Sequence, residues 1–168
     1  MGYDQKLAKL FIMNFNEAFR SAKLLATSYQ RISHLIPLNG KTLTSLEIED
    51  LDRLDAFRVR LCDLQDSIGS KIFRSLIALE EEQIGSQLDI INKMVKKEVL
   101  SSFDSWKTLR DIRNSFSHDY PDDDNTRAEA LTIAYQHTNS LLDILNSIGN
   151  YAHKQIGISL DEFEEVKV

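Results

Sequence analysis

The sequence predicts an all-α fold, an up-and-down bundle of about five helices. Three observations carry this. Apolar residues recur at three- and four-residue steps over long stretches, strand-like alternation is hard to find, and the 168 residues include only 6 Gly and 2 Pro, so little of the chain is made for turns. A chain of this length suits one domain with one sizeable core. The expected division is a helical domain over residues 1–156 and a short acidic tail over 157–168.

The first helix is expected from about Asp4 to about His34. Leu7, Leu10, Phe11, Phe15, Ala18, Ala22, Leu25, Tyr29 and Ile32 form its inner stripe. Pro37-Leu38-Asn39-Gly40 reads as a turn. A second, long helix is expected from near Thr44, because Thr44-Ser45-Leu46-Glu47 fits the reciprocal capping pattern. Leu51, Leu54, Leu61, Leu64, Ile68, Ile72, Leu76 and Leu79 carry its apolar side. It reaches the Glu80-Glu81-Glu82 run, which reads as a solvated helix face or end; no Glu-x-x-His spacing accompanies it. A shorter helix spans Gln87 to Lys97. Ser101-Ser102-Phe103-Asp104 starts another, with Trp106, Leu109, Ile112 and Phe116 inward. Pro121 takes the backbone out of helical geometry at Tyr120. The Asp122-Asp123-Asp124-Asn125-Thr126 segment then suits the start of a last helix, whose inner side is Leu131, Tyr135, Thr138, Leu141, Leu142, Leu145, Ile148 and Ala152.

The net charge of −6 argues against broad, sequence-independent capture of nucleic acid, although not against a local basic site. The single cysteine, Cys62, excludes an intramolecular disulfide and a Cys-rich zinc site, and its helical flanks make it a structural thiol. No apolar run is long enough to span a bilayer. Met1-Gly2-Tyr3-Asp4-Gln5-Lys6 lacks the character of a signal peptide, and Lys6 stands where myristoylation needs Ser or Thr, so the expected compartment is the reducing cytoplasm.

The chemistry-bearing stretch is Arg113-Asn114-Ser115-Phe116-Ser117-His118-Asp119-Tyr120. At about 100° per residue, Asn114 and His118 share a helical face with Arg110, and Arg113 falls at the margin of the apolar stripe. A guanidinium there is partly buried and always charged, so it needs an anion or an ordered polar partner. Arg113, Asn114 and His118 are therefore expected to converge on one pocket. The trio suits phosphate chemistry without a metal or other cofactor. Arg supplies paired donors to phosphate oxygens, His exchanges a proton near neutral pH, and Asn orients the imidazole or a ligand oxygen. On RNA, the 2′-hydroxyl would attack the neighbouring phosphate, with His118 as base or acid and Arg113 stabilising the charge that develops. The plainer reading pairs Arg113 with Asp111 or Asp119 and lets Asn114 and His118 finish a helix. Arg58 and Arg60 are candidates to add positive charge, or are simply solvent-facing. His34, His137 and His153 lack metal-ligand spacing and read as structural or exposed.

This stretch resembles the R-x4-H-x-Y motif of HEPN-domain proteins, especially the HepT-like toxin of HEPN/MNT toxin–antitoxin pairs. The motif covers eight residues, and the likeness in helical layout runs from roughly Gln5 to Ala152. The resemblance implies a HEPN helical bundle and a metal-independent endoribonuclease. Arg113 and His118 match its catalytic pair, and Asn114 its supporting polar position. It implies a homodimer whose two motifs line a cleft, and a partner MNT-type nucleotidyltransferase antitoxin that adenylylates Tyr120. Without the family, Tyr120 reads as a packing residue before Pro121. The alternatives are a non-catalytic HEPN subunit that binds a nucleotide or the nucleotidyltransferase, and an adaptor bundle with no ligand. Asp119 and the run from Asp122 to Asp124 put negative charge near the motif, offset only in part by Lys107, Arg110, Arg113 and Arg127.

Overall fold

The computed structural model describes residues 2–117 and 122–163. Among them the chain is all-helical, with no strand. In order come α1 (Gln5–Ile32), α2 (Gly40–Thr44), α3 (Ile48–Ser67), α4 (Phe73–Leu79), α5 (Gln87–Lys96), α6 (Phe103–Ser117) and α7 (Asp124–Tyr151). A π-helical turn, Ile68–Ile72, joins α3 to α4 as one rod, the expected long second helix. Another, Ala152–Ile156, continues α7. No helix of the described residues is long and apolar enough to cross a membrane.

The helices pack as a bundle around one core. α1 lies along α3 and α4, α7 lies against α6, α2, α1 and α3, α6 packs on α3, and α5 bridges α4 and α6. The inner face of α1 is Ala8, Phe11, Phe15, Ala18, Phe19, Ala22, Leu25 and Ile32, all buried. Leu10, expected on that stripe, is 44% exposed. It stands about 100° around the helix from Phe11, too far to reach the core. Phe11, Phe57 and Phe73 are fully buried. Replacing one of them with Ala would cost about 3–5 kcal/mol through lost transfer energy and the cavity left behind. Ile158, in the expected tail, is fully buried, and the Phe163 ring lies 4.8 Å from that of Phe15.

Two local expectations are corrected. Pro37-Leu38-Asn39-Gly40 leads into α2 rather than forming a simple turn. The reciprocal cap belongs there: the Asn39 side chain accepts from Thr42 N–H at 2.9 Å, and Asn39 N–H donates to Thr42 Oγ1 at 2.8 Å. Thr44 instead ends α2, its hydroxyl donating to the Gly40 and Lys41 carbonyls. α3 starts at Ile48, after Glu47, with no side-chain cap. Asn39 competes successfully because α2 also docks on α7. Asn125 Oδ1 accepts from Gly40 N–H at 3.0 Å, and a Cβ on Gly40 would lie 2.2 Å from that oxygen, so the docking requires glycine. The other starts hold. The Ser102 hydroxyl accepts from Ser105 N–H near the start of α6, and Asp123 accepts from Thr126 N–H at the start of α7.

Candidate functional site

α6 presents the motif. Its buried stripe is Trp106, Leu109, Ile112 and Phe116, the four residues expected. That stripe fixes the rotation of the helix, and Arg113 emerges at its edge beside α3. Arg113 Nε and Nη2 donate to Asp66 Oδ1 and Oδ2 at 2.7 and 2.8 Å, a two-pronged ion pair, and Nη1 donates to Ser117 Oγ at 2.6 Å. The Arg113 side chain is 26% exposed. Its hydrogen bonds to Asp66 hold the guanidinium above its ordinary pKa, outweighing the opposing effect of burial. Of its five N–H donors, three are used in these bonds, so one remains on each terminal nitrogen. The expected anion exists, but it is Asp66, from 47 residues earlier in the chain. Asp111 is held by Lys107 at 2.6 Å. Asp119, His118 and Tyr120 lie outside the described residues.

Arg113 and Asn114 open onto a groove of about 560 Å³, within the roughly 300–1,000 Å³ common for ligand sites. One wall is α6, with Trp106, Arg110, Arg113 and Asn114. The other is the α3–α4 rod, with Gln65, Asp66, Gly69, Ser70 and Arg74, and Gln87 at the start of α5 closes one side. Gly69 and Ser70 sit in the π-helical turn, a feature frequent at functional sites. A Cβ on Gly69 would lie 3.0 Å from Trp106 Cζ2, so glycine lets the indole pack flush against the rod. Among the described lining residues three guanidiniums face one carboxylate, which makes the groove locally basic on an acidic protein. Arg74 and Arg110 are exposed and form no ion pair or hydrogen bond with another described residue.

Two more polar groups of the groove make no hydrogen bond with another described residue. Gln65 is 4% exposed, yet its side-chain amide makes no hydrogen bond with another described residue. The Trp106 indole N–H is buried without an acceptor among the described residues. Neither was evident from the sequence, where Gln65 is one polar residue in a helix and Trp106 is core. The helical stripe Leu61, Leu64, Ile68 and Ile72 places Gln65 inward, and that was the signal available.

The other candidates fall elsewhere. Arg60 donates to Ser28 Oγ and the Leu24 carbonyl on α1, and so does not reach the groove. Arg58 donates to the Phe116 carbonyl at 3.5 Å, in the last turn of α6. Cys62 is half-buried, and burial pushes its thiol pKa up, with Arg113 pulling it partly back. His137 and His153 each place Nδ1 within 3 Å of a backbone carbonyl, of Ile133 and Ile158. His34 lies 3.8 Å from Asp50. A second groove, of about 440 Å³ between α6 and α7, has no Lys or Arg among the described residues of its lining.

The Glu80–Glu82 run does end a helix, but two of its members are not merely solvated. Lys97, 10% exposed, donates to Glu80 Oε2 and, at 2.7 Å, to Glu82 Oε1, while the Tyr151 hydroxyl donates to Glu80 Oε1 at 2.6 Å. Burial opposes the charge on Lys97, but its two carboxylates hold the ammonium above its ordinary pKa. The Lys97 hydrogen bond holds Glu82 below the usual carboxylate range. Among the described residues, no three His, Cys, Asp or Glu side chains are grouped to hold a metal ion. The chain matches no family model, no curated protein and no solved structure.

Proposed function

We propose that this protein is a HEPN-like, metal-independent endoribonuclease, the toxin of a toxin–antitoxin pair, with Arg113, Asn114 and His118 as its catalytic group. The observation that carries the reading is the setting of Arg113. It lies at the edge of a basic groove, its plane is fixed by Asp66 and Ser117, and one N–H on each terminal nitrogen is left for a ligand. A guanidinium so fixed can meet phosphate oxygens with little further loss of side-chain freedom.

In this reaction the 2′-oxygen bonds to phosphorus as the bond to the 5′-oxygen breaks. One proton leaves the 2′-hydroxyl and another reaches the departing 5′-oxygen, giving a 2′,3′-cyclic phosphate and a 5′-hydroxyl. His118 acts as base or acid, Arg113 balances the charge on the phosphorane-like transition state, and Asn114 orients the imidazole or a ligand oxygen. A homodimer supplies two imidazoles, one for each proton transfer. The partner is an MNT-type nucleotidyltransferase that adenylylates Tyr120 in the cytoplasm. The added phosphate competes for Arg113, and its bulk obstructs the RNA.

Expression with and without a candidate nucleotidyltransferase tests the pair. Growth arrest without it, relief with it, and a gain of adenylyl mass on Tyr120 are expected. Relief that persists in a Tyr120→Phe variant would contradict the switch.

A second reading is a nucleotide-binding or partner-binding subunit without catalysis. One observation favours it: Asp66 occupies two donors of Arg113 and cancels much of its charge. Nucleotide binding by a verified dimer that cleaves no RNA would select that reading.

A further inference from the structure

We infer that the groove between α6 and the α3–α4 rod is a nucleotide-recognition subsite, in which Gln65 reads an adenine base while Arg74 and Arg110 hold the adjoining phosphate. The inference extends the proposed RNA site by naming what lies beside Arg113, and in that respect it rests on that reading.

The case starts from Gln65. A side chain so deeply packed whose amide makes no hydrogen bond to another described residue calls for an explanation. Gln65 is 96% buried by its neighbours, being only 4% exposed, and it lines the groove. Its amide offers one acceptor and two donors on one planar group. A ligand edge with a donor and an acceptor side by side complements it. Adenine does so with its N6 amino group and N7, the edge that Gln reads in a two-pronged pair.

The cations set the rest of the ligand. Arg74 and Arg110 come from different elements, the rod and α6, and neither is committed to another described residue. Two uncommitted guanidiniums on one groove suit a phosphate or consecutive phosphates. Among the described residues Asp66 is the groove's only carboxylate, and Arg113 already neutralises it. A ligand with an anionic end and a flat hydrogen-bonding end meets both demands, and a nucleotide is that ligand. The indole of Trp106, with its own unpartnered N–H, adds an aromatic surface to the lining.

Trp106 is also the only tryptophan of the chain, so its fluorescence reports occupancy of this groove. The full chain is titrated with AMP, GMP, CMP, UMP and inorganic phosphate, with calorimetry as a second readout. AMP is expected to bind about 10-fold tighter than CMP or UMP, as one two-pronged base contact allows, and inorganic phosphate weakest. Gln65→Leu fills the same space without the amide and should bring AMP down to the level of CMP. Arg110→Gln, at an exposed position, should weaken all four nucleotides alike and flatten the salt dependence. Equal binding of the four nucleotides, phosphate binding as tightly as AMP, or an unchanged ranking in a Gln65→Leu protein with a normal melting curve would overturn the inference. If Gln65→Leu does not fold, Gln65→Met is used, with the same two outcomes.

Cleavage of an RNA strand by the parent and by Gln65→Leu separates this inference from the RNase reading. Cutting beside adenosine that becomes indifferent in Gln65→Leu supports both. Cutting that is indifferent in the parent sinks the subsite alone. Selective AMP binding without any cutting supports the subsite and sinks the nuclease.

Discussion

Around Lys97 the polar groups answer one another, whereas around Gln65 they do not. Glu80, Glu82 and Tyr151 converge on Lys97 from the ends of α4 and α7 and the segment after α4, and each charge meets an opposite charge or a donor. In the groove, Asp66 and Arg113 are paired, but among the described residues the Gln65 amide and the Trp106 N–H find no partner, and Arg74 and Arg110 face solvent uncommitted. Both clusters are assembled by the same bundle. The first consumes its hydrogen-bonding capacity in folding. The second keeps part of it, which is what a site for a ligand requires.

Substitutions can sharpen that contrast. The largest effect is expected at the motif itself: Arg113→Lys keeps the charge but loses the planar fork, and RNA cleavage should fall by about 100-fold or more, as single-turnover rates would show. Next comes Lys97→Ala. It leaves the Glu80 carboxylate without its cation in a half-buried setting, and chemical denaturation should show a loss of about 1–2 kcal/mol, discounted for partial exposure. A similar loss in Gln65→Leu would break the comparison, because that residue is held to contribute little to folding.

The acid side of the stability curve offers a finer test. The pKa of Glu82 is lowered in the folded state, so its contribution is present above the ordinary Glu value and is lost as pH falls through the folded one. The melting temperature should therefore drop as pH falls below about 4, and Lys97→Ala should flatten part of that drop. Asp89 and Asp123, whose values are lowered by capping hydrogen bonds from Ser86 and Thr126, will keep the remainder in place. The smallest effect is expected for Asp66→Asn. A partly exposed pair is worth about 1 kcal/mol or less, so melting should change little while Arg113 loses its fixed plane and cleavage slows.

Much of this frame was legible in the sequence, because helices repeat every few residues and the stripe on α6 needs only local periodicity. The placement of Arg113 at the stripe's edge, and its need for an anion, followed from the same geometry. Which anion did not. Asp66 meets Arg113 only because α6 packs on α3, a contact between distant segments that spacing cannot encode. Leu10 misled because a three-residue step from Leu7 looks inward until the whole wheel of α1 is drawn. The cap at Thr44 misled because Asn39 offers a competing one that α7 also stabilises. Gln65 went unnoticed for a different reason: the absence of a partner is a property of the packed structure and leaves no motif.

The most direct test of the central claim is the chemistry of the ends produced when the parent and His118→Ala proteins meet an RNA strand in EDTA. The account predicts 2′,3′-cyclic phosphate and 5′-hydroxyl ends from the parent, none where the scissile ribose lacks its 2′-hydroxyl, and a rate at least about 100-fold lower in His118→Ala. Equal cleavage by His118→Ala, or by the parent on the 2′-deoxy strand, would contradict it.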